Sequence, residues 1–414
     1  MNQEMQNLKM KYIPMCANGE ISTAECAGLV GITPRSVRRL KAEYKKVGAA
    51  VFIHGNIGKS SNRQYDYERI VSDYKKFEGT PFMSFRDDCI DYLHYEKVPS
   101  YTSLSNILKG AGIESPRARP KESEKVRHLP RSEKPNAGDM IQIDASPFDW
   151  LMNGRKISLH GAIDDATHTV TALYFCENEC LLGYYQVLIQ TVARMGGLPK
   201  AIYSDRSACF FVSRGTTLEE QLLGAEKSET QWQKTCRELE IELIAAYSPQ
   251  AKGRIERLWQ TLQGRLPFIF RYLKIDTIEK ANEFLSDFMD GFNRRFSVPP
   301  ENPEPHWKSA PHDTDFDFLF SVRAEKKTRS DGTFVYHGYK FALESSRTSC
   351  VRFTLCLSES YGIRAFIGGK YYGVKLCDAI GDCIGDAMPQ VEKNLIYRYF
   401  YSDTHSRCAA IRAV

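Results

Sequence analysis

The stretch SPQAKGRIER, residues 248–257, decides the fold of this 414-residue chain. It follows the short apolar run 241–245 and leads into a helical pattern in which Ile255, Leu258 and Leu262 recur on one face. Glu256 lies on another face of the same predicted helix, together with Lys252. The stretch therefore places one carboxylate at the start of a helix that packs on a predicted strand.

Outward from this stretch, predicted strands and helices follow one another in an informative order. Three upstream runs predict successive strands at 140–145, 157–163 and 169–175, and Asn153-Gly154 supplies a turn between the first two. The remaining pattern predicts helices at 181–195, 231–239, 251–266 and 278–292, and strands at 201–203 and 241–245. This order indicates a central α/β region, residues 139–310, with a mixed sheet.

Two aspartates lie at the ends of predicted strands in this region. Asp144 belongs to QIDA on the first strand, and Asp205 closes IYSD directly after the fourth. Carboxylate oxygens are ligands that Mg²⁺ prefers, so Asp144 and Asp205, with Glu256 on the predicted helix, are candidate metal ligands.

The element order and these motifs together resemble the RNase H-like core of retroviral integrases and DDE transposases. The SPQ–KG–xE pattern is similar to that of bacterial insertion-sequence transposases, over roughly residues 137–310. The resemblance implies two Mg²⁺ or Mn²⁺ ions, with Asp144 bridging both and Asp205 and Glu256 each holding one. It also implies cleavage at the ends of a mobile element and joining of the 3′ ends to target DNA, by a homo-oligomer assembled on double-stranded DNA.

The interval between the second and third carboxylates is 256 − 205 = 51 positions, which is longer than in retroviral integrases. A polar insertion at 214–230 explains the difference, because a loop there leaves both carboxylates in place. Asp164 and Asp165 are rival acids, but their position before Ala166-Thr167 favours a turn. Packing or turn hydrogen bonds are the expected roles of His160 and His168.

The N-terminal residues 1–66 predict a DNA-binding domain. They hold ten Lys and Arg against five Asp and Glu, and Ser22 and Thr33 precede two short helical patterns separated by Gly31. This arrangement predicts a helix-turn-helix whose second helix enters the major groove. The candidate DNA contacts on that helix are Arg35, Arg38, Arg39 and Lys41, with Arg35 and Arg39 as base readers. The alternative is a solvated basic helix.

Three basic residues beside the third carboxylate, Lys252, Arg254 and Arg257, are candidate phosphate contacts, and solvated charges are the alternative for each. Residues 67–114 predict a second helical DNA-binding domain or a purely structural bundle. A proline-rich exposed linker is expected at 115–138, a small β-barrel at 325–393 and a tail at 394–414.

The composition excludes a membrane protein, because no apolar run approaches the roughly 18 residues that cross a bilayer. With no hydrophobic signal segment at the N-terminus, we expect a cytoplasmic, DNA-associated bacterial protein with reduced cysteines. The predicted fold is multidomain, with an N-terminal all-α helix-turn-helix region, a central α/β RNase H-like core and a small C-terminal β-barrel. Two alternatives to a transposase stay open: a non-catalytic DNA-binding regulator, and a nuclease that cuts without joining.

Overall fold

The computed structural model describes residues 3–52, 65–116, 132–212, 229–246, 252–311, 314–344, 349–378 and 383–402. The chain divides into two compact units, Met1–Asp66 and Tyr67–Val414. The SPQA part of the deciding stretch, most of the proline-rich linker and most of the insertion at 214–230 lie outside the described residues. Among the described helices, none has both the length and the apolar character needed to traverse a bilayer.

The N-terminal unit contains three helices, α1 (Gln3–Asn18), α2 (Thr23–Val30) and α3 (Pro34–Val47), followed by a 3₁₀ turn at Gly48–Phe52. The Ser22 hydroxyl accepts a hydrogen bond from the Glu25 amide at 3.1 Å, and Thr33 caps α3 through the Ser36 amide at 3.3 Å. Gly31 ends α2 with a φ of +72°, a conformation that glycine adopts without strain. The two predicted helices are confirmed, whereas α1 was not predicted.

The second unit begins with three helices, α4 (Tyr67–Lys76), α5 (Phe82–Asp91) and α6 (Tyr101–Gly110). Ser100 caps α6 by accepting the Ser103 amide at 3.2 Å. Aromatic rings hold α4 and α5 together: Tyr74 meets Phe85 edge to face, with ring centroids 5.0 Å apart.

A five-stranded mixed sheet forms the centre of the second unit. Its strands are β1 (Ile141–Phe148), β2 (Ile157–Asp164), β3 (Val170–Cys176), β4 (Ala201–Ser204) and β5 (Glu242–Ala245). They lie in the order β3-β2-β1-β4-β5, with β1 antiparallel to β2 and parallel to β4. The predicted mixed sheet is therefore confirmed.

Among the described residues, five helices surround this sheet: α7 (Leu181–Met195), α8 (Gln231–Glu238), α9 (Gly253–Gln263), α10 (Leu266–Leu273) and α11 (Ile278–Phe296). The sequence predicts one continuous helix over 251–266, but α9 ends at Gln263 and α10 begins at Leu266. The residue between them, Arg265, has a non-helical φ of −131°, and Pro267 lies in the first turn of α10, where its missing amide proton does no harm.

The C-terminal region contains two antiparallel sheets, and no closed barrel forms among its described strands. After the short α12 (Phe316–Leu319), the strands are β6 (Val322–Lys327), β7 (Thr333–Tyr336), β8 (Tyr339–Leu343), β9 (Arg352–Ser358), β10 (Gly362–Ile367), β11 (Lys370–Tyr372) and β12 (Val374–Cys377). They pair as β11-β10-β9-β6 and as β12-β8-β7. Phe334 of one sheet meets Phe353 of the other with ring centroids 4.9 Å apart, so the predicted barrel is wrong and two sheets pack together instead.

The C-terminal sheets share one hydrophobic core with the central sheet, and α7 lies between them. The ring of Tyr185 on α7 lies 5.3 Å from that of Phe320 and 5.8 Å from that of Trp232 on α8. The Thr235 hydroxyl donates to the Leu319 carbonyl at 2.9 Å. Helix α13 (Met388–Ile396) and the π turn Tyr397–Tyr401 cover the same core, and Phe400 is buried there.

Helix α5 is attached to the core through a cluster of buried charges. Arg265 forms an ion pair with Asp87, and its guanidinium lies 4.0 Å from Asp88. Burial raises the pKa of Asp88 to about 8, and Arg265 opposes this shift only in part. Asp88 is therefore protonated at neutral pH, although its neighbour Asp87 is paired with the arginine.

We expect Asp88 to make the stability of the second unit pH-dependent. A carboxyl whose pKa rises on folding contributes stability that is fully present below its unfolded pKa and is lost as the pH rises through the folded value. Between about pH 6 and about pH 8 the wild type should lose about 2 kcal/mol of unfolding free energy relative to Asp88→Asn, as measured by urea denaturation. Asp276→Asn is the control, because Asp276 is exposed and Lys280 lowers its pKa. Equal pH slopes for the wild type and Asp88→Asn would contradict the prediction.

Candidate active site

Two parallel strands bring Asp144 and Asp205 to the same level of the sheet. Ile141 and Gln142 on β1 are in register with Ile202 and Tyr203 on β4, an offset of 61 positions. The same offset puts Asp205, one residue beyond β4, beside Asp144. The predicted first and second carboxylates therefore come from neighbouring strands.

Helix α9 runs along β1 and carries the third candidate carboxylate. Three contacts, one helical turn apart, join its inner face to alternate residues of the strand. They are Ile255 N to Gln142 Oε1 at 3.3 Å, Trp259 Nε1 to Asp144 Oδ2 at 3.1 Å and Gln263 Nε2 to Ser146 Oγ at 3.1 Å. The helix and the strand thus run in the same direction, with matching repeats.

Gly161 makes the contact between Trp259 and Asp144 possible. It pairs with Asp144 across β1 and β2, and a Cβ atom at this position would lie 2.8 Å from Trp259 Cη2. Any larger residue would push the indole away from the strand, so the glycine keeps Trp259 within hydrogen-bonding distance of the carboxylate.

Glu256 lies on the helix face between two residues that touch Asp144. Lys252 precedes it by four positions and Trp259 follows it by three, a spacing that puts all three side chains on one side of a helix. Lys252 Nζ lies 2.8 Å from Asp144 Oδ1, and Trp259 donates to the other carboxylate oxygen. Glu256 is partly exposed in the first turn of α9.

Carboxylate oxygens suit Mg²⁺ or Mn²⁺, and two of them already converge on one cationic group here. Lys252 Nζ lies 3.8 Å from Asp205 Oδ2 as well as 2.8 Å from Asp144 Oδ1. No three His, Cys, Asp or Glu side chains within the described ranges are close enough together to hold a metal ion. The oxygen donors of Asp144 and Asp205 nevertheless suit a divalent cation, and the Lys252 ammonium lies between the two aspartates.

Arg254 supports α9 from beneath. Its guanidinium is buried, contacts Asp165 Oδ1 at 2.8 Å and Glu133 Oε1 at 2.8 Å, and donates to His168 Nε2 at 3.3 Å. Asp165 also accepts the Gln142 side chain at 2.9 Å, so one buried carboxylate connects β1 with α9. A guanidinium engaged in this way is unsuited to the phosphate contact expected from the sequence, and we do not retain Arg254 as one.

Asp164 and His160 have the structural roles that the sequence predicts. Asp164 Oδ1 accepts hydrogen bonds from the amides of Ala166 and Thr167, which is the expected turn. His160 is fully buried, and its Nε2 accepts the Cys180 amide at 3.1 Å. The ten cysteines whose side chains the structure describes are free thiols.

Glu179 is an acidic neighbour of the site that the sequence analysis missed. Burial raises the pKa of its carboxyl, the negative charges of Asp144 and Asp205 raise it further, and the hydrogen bond from Tyr184 at 2.7 Å lowers it. It lies on the connection between β3 and α7, within a polar stretch whose spacing carries no signal. Only the fold brings this residue near the two aspartates.

The basic residues predicted to contact DNA differ in exposure. Arg35, Arg38 and Arg39 are exposed on α3, and Lys41 is partly buried. Near the carboxylates Arg257 is exposed, whereas Lys252 is buried.

Comparison with known proteins provides the family relationship. The transposase for insertion sequence IS1202 of Streptococcus pneumoniae is 30% identical over 344 residues, covering 74% of this chain and 72% of the relative. The y4bF protein of Sinorhizobium fredii, whose name assigns it provisionally to the transposases, is 30% identical over 300 residues, covering 70% of this chain and 62% of the relative. No family model matches the chain.

Among solved structures, a chain of the simian T-cell lymphotropic virus intasome in complex with PP2A regulatory subunit B56 gamma superposes with a TM-score of 0.32. The match has 15% identity and covers 67% of this chain and 91% of the other. A superposition this loose does not establish a common fold, so the relationship rests on the sequence relatives.

Loss of the buried ion pair beneath α9 should be costly. Arg254→Met leaves Asp165 buried with its charge uncompensated, and we expect a loss of about 3 kcal/mol in the free energy of unfolding. The matched control Arg257→Met removes an exposed charge from the same helix and should change stability by less than about 0.5 kcal/mol. Urea denaturation followed by tryptophan fluorescence measures both, and an equal effect of the two substitutions would refute the supporting role of Arg254.

Proposed function

We infer, for a chain that belongs to the family of insertion-sequence transposases, that it cuts the ends of a mobile DNA element and joins the 3′ ends to target DNA. The observation that carries this proposal is the placement of two aspartates on neighbouring parallel strands, beside the helix that carries Glu256. Asp144 and Asp205 lie side by side on parallel strands, and Glu256 lies on the helix face that touches Asp144. The strand order β3-β2-β1-β4-β5 supports an RNase H-like core.

Asp144, Asp205 and Glu256 would hold two Mg²⁺ or Mn²⁺ ions. Such a pair of ions activates the attacking oxygen and stabilises the charge on the transferred phosphate and its leaving oxygen. Asp144 is fixed by β1 and by the indole of Trp259, and Asp205 by the Ser207 amide, which donates to its Oδ1 at 2.9 Å. The protein thus contributes carboxylates that are positioned before substrate binds.

Exposed arginines on α3 support sequence-specific DNA binding by the N-terminal unit. Arg35 and Arg39 lie in the first half of the second helix of a helix-turn-helix, where side chains reach base edges in the major groove. Arg38 and Lys41, and Arg257 on α9, are proposed phosphate contacts.

We propose that the active form is a homo-oligomer assembled on DNA. Transposition joins two ends of one element to a target, and one set of three carboxylates acts on one phosphodiester at a time. Symmetric pairing of identical subunits is the usual way to present two equivalent sites.

The catalytic assignment predicts a separation of cleavage from binding. Asp144→Asn, Asp205→Asn and Glu256→Gln should each abolish strand transfer on labelled element ends with Mg²⁺ or Mn²⁺, while gel-shift affinity for those ends is retained. Asp149→Asn is the matched control, because Asp149 lies just beyond β1 and only orders the turn by accepting the Asn153 and Gly154 amides. Appreciable joining by any of the three variants would remove that residue from the catalytic set.

The assignment of base readers predicts a change in sequence preference. A bidentate arginine–guanine contact provides about 1–3 kcal/mol of discrimination, and a phosphate contact provides none. Arg35→Ala and Arg39→Ala should therefore bind mutated element ends almost as well as the natural one. Lys45→Ala, in the last turn of α3, should lower affinity equally for every sequence. Fluorescence anisotropy over a series of end sequences measures this, and uniform losses for the arginine variants would show that another element reads the bases.

A further inference from the structure

Lys252 takes the position between the two strand-end aspartates. Its ammonium lies 2.8 Å from Asp144 Oδ1 and 3.8 Å from Asp205 Oδ2, and its side chain is only 9% exposed. The sequence pattern puts Lys252 on a polar, DNA-facing side of α9, but the side chain turns inward to the carboxylates instead.

The remaining oxygens of both aspartates have other donors. Trp259 Nε1 donates to Asp144 Oδ2 at 3.1 Å, and the Ser207 amide donates to Asp205 Oδ1 at 2.9 Å. The two oxygens that face Lys252 are therefore the ones that these donors leave for a cation.

A divalent ion and the ammonium cannot both use this position. Mg²⁺ binds carboxylate oxygens at about 2.0–2.1 Å, which places it where the ammonium lies, and like charges at such separations repel strongly. We propose that Lys252 is an internal competitor for the divalent cation, which must withdraw before Asp144 and Asp205 can hold a metal ion together. This inference rests on the proposed function of the two aspartates as metal ligands.

The position of Lys252 in the chain allows the withdrawal. Its flexible four-carbon stem starts at the N-terminal end of α9, next to Gly253, and not within a strand. The apparent metal affinity is the intrinsic affinity multiplied by the fraction of molecules in which the ammonium has left. Once displaced, the ammonium becomes available to a DNA phosphate, so DNA would favour the metal-binding arrangement.

The test is isothermal titration of the full chain with Mn²⁺ in the absence of DNA. Lys252→Met should bind Mn²⁺ about tenfold more tightly than the wild type, because all molecules are then free to accept the ion. Lys252→Arg keeps a cation at this position and should bind no more tightly than the wild type. Lys156→Met removes an exposed charge from the connection between β1 and β2, which salt screens, and should change affinity by less than about twofold. Lys252→Gln is a second neutral variant, and its folding and that of Lys252→Met are checked by thermal melts.

The outcomes separate this inference from the proposed function. Unchanged or weaker Mn²⁺ binding by both neutral variants, with wild-type binding that Asp144→Asn abolishes, would overturn the competitor role and leave the metal site standing. Equal tightening by Lys252→Met and Lys156→Met would also overturn it, since the effect would then be general electrostatics. Wild-type binding that Asp144→Asn does not alter would refute the metal site and the inference with it.

Discussion

The ion pair between Arg254 and Asp165 is the interaction on which the geometry of the candidate active site depends. Both side chains are buried. Asp165 also accepts a hydrogen bond from Gln142 Nε2, and Gln142 Oε1 accepts one from the Ile255 amide. One carboxylate thereby fixes the direction of α9 relative to β1, and the later contacts of the helix with the strand follow from it. Because an unpaired buried charge is strongly unfavourable, this connection permits few alternative placements of the helix. The separation between Glu256 and Asp144 therefore depends in part on contacts that neither residue makes.

The candidate site holds opposite charges close together. Asp144, Asp205 and the more distant Glu179 concentrate negative charge, and the Lys252 ammonium offsets part of it. Without a cation between them, two ionised carboxylates on neighbouring strands would repel each other. The lysine therefore explains how the strands can present both aspartates at the same level of the sheet. The attraction of both carboxylates to the Lys252 ammonium thus offsets the repulsion between Asp144 and Asp205.

Local signals in the sequence were sufficient to predict most helices and strands, but not the tertiary contacts between them. Ser22, Thr33 and Ser100 cap their helices through contacts within three residues, so the pattern alone fixes those helix starts. The places of Asp144 on the first strand and of Asp205 directly after the fourth were predictable, because each lies in or next to a short apolar run. The inward turn of Lys252, the proximity of Glu179 and the burial of Arg254 depend on residues distant in sequence, which periodicity does not report. The barrel prediction failed for the same reason, since short strands with glycine turns do not reveal which strands pair.

The shared core around α7 affects which shortened products of the gene would survive in a cell. Tyr185 and its neighbours are covered by residues that come late in the chain, including Phe320 and Phe400. A premature stop codon ahead of the C-terminal sheets would leave a broad aromatic surface facing water, and such surfaces promote aggregation. Decayed gene copies that end there would thus yield proteins prone to aggregation and proteolysis, and not stable fragments.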